Sequence, residues 1–279
     1  MAEAATAEGL GHTTTRMTAG GALKMAAGLW LLTTLAGQWV FLYYIAAFYG
    51  GSTLSGNFQA WSRNDALFKG YVAGDAAGNL FFAAHVLLAA AVAFGGTLQM
   101  VPQIRKRALW FHRWNGRVFL ATAGAAALAG LYMVWVRGAS ANLLGALAIS
   151  LDAVLILGFA TLAWRSALGR QIADHRRWAM RAFLAANGVW FYRVGFMAWI
   201  AINHGPVGST RHLDGPFDIF WEFGCYLLPL AMLELHLRAE RSGGGAARLA
   251  MAGGLAVSSV VIAIGVAAAY AIMWRPLLG

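Results

Sequence analysis

The chain has 279 residues, 60% of them hydrophobic and only 11% charged, with a net charge of +10 and a mean hydropathy of +0.61. A soluble domain carries roughly 25% charged residues, so this composition excludes a soluble globular protein and points to an integral membrane protein. The positive balance does not require nucleic acid, since basic loops on one membrane face are a topology signal, and the single cysteine, Cys225, excludes an intrachain disulfide and a cysteine-based zinc site.

Residues 1–23 are polar and rich in Thr and Ala, the composition of a disordered cytoplasmic terminus. The apolar segment after them is longer than the roughly 7–15 residues of a signal-peptide core, so it reads as a retained first membrane helix. A crossing needs about 20 apolar residues. Seven segments qualify: 24–48, 76–100, 117–136, 143–164, 182–203, 218–237 and 249–273. They predict an all-α fold, a polytopic bundle of seven transmembrane helices forming one domain over 24–279.

The basic residues predict its orientation. Arg16, Lys24, Arg105, Lys106, Arg107, Arg113, Arg117, Arg165, Arg170, Arg176, Arg177, Arg181, Arg238, Arg241 and Arg248 fall on one side. Arg63, Lys69, Arg137, Arg211 and Arg275 fall on the other. Fifteen against five places the N-terminus in the cytoplasm and the C-terminus outside. Tryptophans fit this frame as interfacial belts, with Trp110, Trp114, Trp164 and Trp178 inside and Trp61, Trp135, Trp199, Trp221 and Trp274 outside.

Two outer loops stand out. Residues 49–75 carry Phe58, Trp61, Phe68 and Tyr71 among Gly, Ser and Asn, and read as a surface loop, with an interfacial lid as the alternative. Residues 204–218 hold His204, His212, Asp214 and Asp218, but without the i, i+4 spacing of a helical metal site, so no metal is assigned. Pro229 interrupts the sixth segment, where a kink is expected. No dinucleotide-binding, Walker or zincin-type motif occurs.

An internal repeat organises the middle of the chain. Trp114-x-x-Arg117-x-Phe119-Leu120-Ala121 aligns with Trp178-x-x-Arg181-x-Phe183-Leu184-Ala185. His112-Arg113 precedes the first tryptophan, and His175-Arg176-Arg177 the second, each motif opening an apolar run after a basic turn. Two similar hairpins turning at one face are the signature of such a repeat.

Helix-depth counting isolates a second set. His85, Asp152 and Arg193 each lie about ten residues into a segment, and Gln38 lies at a similar depth. At 1.5 Å per residue that is roughly 15 Å, near the midplane of a ~30 Å core. Charges there are costly and pair inside the bundle, which predicts an Arg193–Asp152 ion pair with His85 beside it and Glu222 extending the set outward. Two readings stay open, a polar staple between helices or a ligand site.

The order His85, Leu98-Gln99, basic turn, HRWNGR and HRRWAMR resembles a large bacterial family of membrane proteins of unknown function, over roughly residues 80–200. That resemblance implies a multi-pass protein of the bacterial inner membrane. A fainter likeness is to transmembrane di-haem b-type cytochromes, which His112-Arg113-Trp114-Asn115-Gly116 fits in spacing. The fourth segment departs from their pattern, with Asp152 and no histidine.

The function class expected is a membrane redox component binding b-type haem or quinone rather than an enzyme with its own catalytic residues. His112 with His175, or His85 in a single-ligand site, would hold the iron, and Arg193 or the loop arginines the propionates. The rival class is a small-molecule or proton-coupled transporter or a sensor built on His85, Asp152 and Arg193, and a third is a structural subunit of a membrane complex.

Overall fold

The computed structural model describes residues 18–64, 70–242 and 244–278, and among these the chain is helical and turns without strands. Helix α1 (Ala19–Ile45) starts where Thr18 accepts a hydrogen bond from the Gly21 N–H at 3.1 Å, satisfying one of the orphan donors of a first turn. It runs on through a wide π turn (Ala46–Gly50) to Leu54. Helix α2 (Ala76–Met100) is capped by Asp75, and α4 (Leu143–Leu168) by Asn142. Helix α3 (Leu109–Trp135) follows a short helix, Pro102–Arg107.

The fifth apolar segment is two helices, α5 (Ile172–Ala186) and α6 (Gly188–Asn203), broken at Asn187. Helices α7 (Pro216–Ser242) and α8 (Gly245–Ala268) follow, the latter extended by a second π turn and Arg275–Leu278. Five of the continuous helical stretches are long and apolar enough to cross a membrane: 19–54, α2, α3, α4 and 245–278. Large side chains on their outer faces, among them Leu32, Leu80, Leu128, Val154 and Val257, are exposed, as a hydrocarbon solvent allows and water does not.

Packing runs around the bundle as α1–α2–α3–α4–α5/α6–α8 and back to α1, with α7 lying against α4, α5, α6 and α8. Alanines at the contacts (Ala123, Ala127, Ala153, Ala160, Ala163, Ala182, Ala185) are buried, so backbones approach closely where lipid supplies no hydrophobic drive.

Four expectations are corrected here. The helices begin before their apolar runs, so HRWNGR and HRRWAMR lie inside α3 and α5 rather than in loops. Arginine, tryptophan and methionine are acceptable helix formers, and the headgroup region solvates their polar ends, so a membrane boundary is not a helix boundary. Residues 18–23 belong to the capped start of α1, and residues 1–17 lie outside the described residues. Trp61 and Trp274 are 3% and 0% exposed, which removes them from the outer belt. The outer loop is tucked in: residues 46–54 are helical and Trp61 packs against Tyr49, Phe58 and Phe82. Phe68 lies outside the described residues.

Candidate functional site

Near the N-terminal ends of α3 and α5 the two repeat motifs take the same form. The Arg117 guanidinium stands over its own Trp114 at 4.9 Å, and Arg181 over Trp178 at 4.7 Å. Equivalent Phe119 and Phe183 meet with ring centroids 6.4 Å apart. Side-chain amides lock the first motif to α2, with Gln99 Nε2 donating to the His112 carbonyl at 2.9 Å and Asn115 Nδ2 donating to the Gly95 carbonyl at 2.8 Å.

This framework brings His112 and His175 into electrostatic range of one another, with Arg105 nearby. His175 Nδ1 is 2.9 Å from the Ala163 carbonyl of α4. A carbonyl can only accept, so that nitrogen carries the proton and the neutral ring keeps its Nε2 lone pair free, the arrangement of a metal-ligating imidazole. His112 Nδ1 is buried and has no hydrogen-bond partner among the described residues. Arg113, Trp114, Arg117, Arg176 and Arg177 are exposed around the pair. Arg177 reaches Asp174 at 3.6 Å, and Arg181 reaches Glu234 of α7 at 2.6 Å.

The residues read at the midplane are not one cluster. His85 Nδ1 is 3.1 Å from the Ala126 carbonyl of α3, and His85 is within electrostatic range of Arg193. The Arg193 guanidinium stands 5.8 Å from the Phe41 ring centre and donates to the Val189 carbonyl at 3.2 Å. Tyr44, Tyr49 and Tyr192 share its surroundings. Both Tyr44 and Tyr49 hydroxyls accept from Asn64 Nδ2, at 3.0 and 2.6 Å. Sequence reasoning missed this tyrosine–asparagine group, although Tyr44 and Tyr49 stand five residues apart, at the end of α1 and in the π turn that continues it.

Asp152 belongs elsewhere. Its carboxylate lies against Gly188, where a Cβ would come within 2.6 Å of Oδ2 and 3.3 Å of Tyr226 Cβ, so the chain needs glycine at the start of α6. Asp152 Oδ1 is buried without a partner among the described residues. Glu222 forms a third group near the outer end, with Oε1 3.3 Å from Asn142 Nδ2. No ion pair among the described residues joins Arg193 to Asp152 or Glu222, so the expected Arg193–Asp152 bridge is corrected. Equal depth says nothing about direction around a helix, and direction decides the partner.

Gln38 is 1% exposed, and neither its Oε1 nor its Nε2 has a partner among the described residues; Thr34 Oγ1, one turn away, is in the same state. In the 204–218 loop, Asp218 Oδ2 accepts from the Thr210 and Gly215 N–H groups and Asp214 accepts from the Thr210 hydroxyl, so these carboxylates close the turn before α7.

An all-helical bundle with an apolar exterior and polar groups sequestered inside defines a multi-pass integral membrane protein. Residues 82–213 match the model of the family described as Predicted membrane protein (DUF2306), which bears out the resemblance to an uncharacterised membrane family. No curated protein and no solved structure matches the chain.

Proposed function

We propose that this protein is a seven-pass component of the bacterial inner membrane, N-terminus inside and C-terminus outside, that carries electrons through one b-type haem held between His112 and His175. The proximity of these two histidines carries the reading: they precede the tryptophan by two residues in one repeat copy and by three in the other, and they lie within electrostatic range of each other. The donor set fits haem. His175 is oriented by the Ala163 carbonyl, His112 is anchored through its own carbonyl by Gln99, and Arg113 and Arg176, each one residue after its histidine and exposed, would meet the propionates. Haem supplies one-electron chemistry. The protein's part is to fix both imidazoles.

A low-spin, six-coordinate reduced-minus-oxidised spectrum of the purified protein tests this. His112→Ala or His175→Ala should abolish it while His85→Ala leaves it in place.

A second reading, a proton-coupled transporter or a sensor, draws on one observation, the grouping of Arg193, His85, Tyr44 and Tyr49 within the outer half of the bundle. Ionisable groups at such depth mark ion or substrate paths by default. A colourless protein whose solute uptake is lost in His85→Ala would favour it over the redox reading.

A further inference from the structure

A half-open cavity of about 150 Å³ lies between α1, α2, α5, α7 and α8. Trp30, Met100, Met180, Phe183 and Met232 contribute to its walls. One ionisable side chain, His236 of α7, lines it as well. His236 Nε2 is 3.5 Å from Glu240 Oε1, one turn on, where the carboxylate is 49% exposed. His236 Nδ1 is buried and has no partner among the described residues.

We propose that this cavity is the headgroup site of an isoprenoid quinone, with His236 as the residue that reads the ring. Size, shape and polarity each point that way. A site enclosing a whole drug-sized ligand measures roughly 300–1,000 Å³, so a cavity of 150 Å³ takes a single substituted ring and leaves a tail in the bilayer. The aromatic side chains of Trp30 and Phe183 and three adaptable methionines suit a flat, polarisable ring. An acyl chain would fill the space and leave His236 Nδ1 unsatisfied; a ring oxygen satisfies it in both ligand states. With Nε2–H directed at Glu240, Nδ1 accepts a quinol hydroxyl; with the ring protonated, Nδ1–H donates to a quinone carbonyl. The ligand class stands apart from the haem reading, and only an electron-transfer role for the bound ring would depend on it.

Equilibrium binding of decylubiquinone to the full-length protein in phosphatidylcholine nanodiscs tests the site, with dodecylbenzene as the probe that keeps ring and tail but lacks ring oxygens. Decylubiquinone should bind saturably and dodecylbenzene at least tenfold more weakly. His236→Phe should weaken decylubiquinone about tenfold, equivalent to ~1.4 kcal/mol, and His236→Gln, which keeps a donor and an acceptor, should stay within about threefold. Met232→Trp, which fills the cavity, should remove binding while thermal unfolding confirms a folded protein. Equal binding of the two probes, indifference to His236→Phe, or no saturable binding would overturn the assignment and leave a lipid-tail crevice. The readout is quinone binding and not colour, so a colourless protein that binds decylubiquinone through His236 would end the haem reading and keep this one.

Discussion

Phe119 and Phe183, five residues after the tryptophan in each copy of the repeat, meet ring to ring with centroids 6.4 Å apart. Both rings also close on Gly96 of α2, where a Cβ would stand 2.9 Å from Phe119 and 3.1 Å from Phe183. The repeat is therefore a matter of packing as well as sequence, with its two copies meeting at equivalent phenylalanines.

Gly96 should be intolerant of any side chain. Gly96→Val forces both phenylalanines to move, and overpacking of this kind costs about 1–3 kcal/mol. Thermal unfolding in detergent should show a clear loss of stability, whereas the same change at the open position Gly253, with nothing near its Cβ, should have little packing effect. Equal stability of Gly96→Val and the parent would contradict the close approach.

Arg193 and Asp152 should behave as independent sites. Each lies among different partners, Arg193 over Phe41 and Asp152 against Gly188. The stability changes of Arg193→Leu and Asp152→Leu should then add to within about 0.5 kcal/mol in the double variant. Substantial recovery in the double variant would mean the two charges are coupled after all.

Arg137 ties the end of α3 to the segment before α2 and to the start of α2. It is nearly buried and donates to Asp75 Oδ2 at 3.0 Å, to the Gly70 carbonyl at 3.0 Å and to Asn79 Oδ1 at 3.1 Å. Hydrogen bonds to charged groups contribute about 1.5–3 kcal/mol, so Arg137→Leu should lower stability by about that amount and expose the segment before α2 to limited proteolysis. Arg137→Lys should restore little, since an ammonium lacks the planar fork. Full rescue by lysine would show that charge alone suffices.

Reporter fusions should place residues near 105–117 and 165–181 in the cytoplasm and the C-terminus outside, from the division of basic residues. A cytoplasmic C-terminus would mean that α5/α6 or α7, which lie outside the five long apolar stretches, does not cross.

Much of the fold was legible because a crossing helix announces itself by length and apolarity, and each of the seven segments is helical. Helix ends were not, because HRWNGR and HRRWAMR are polar yet helical. The repeat was readable as spacing, and its equivalent phenylalanines do meet. The Arg193 environment was not, since depth along a helix carries no azimuth. Trp61 and Trp274 look like belt residues in sequence, and only packing against Tyr49 and Phe82, or Phe41 and Tyr44, puts them inside. His236 was overlooked among the charges closing α7, although its i, i+4 spacing to Glu240 was the available signal.

The most direct test of the redox account is haem content per chain, measured by pyridine haemochrome on protein expressed with ample haem. The account predicts one b-type haem per chain in the parent and in His85→Ala, and none in His112→Ala or in His175→Ala. A parent protein without haem, or full haem content in both of the latter variants, would contradict it.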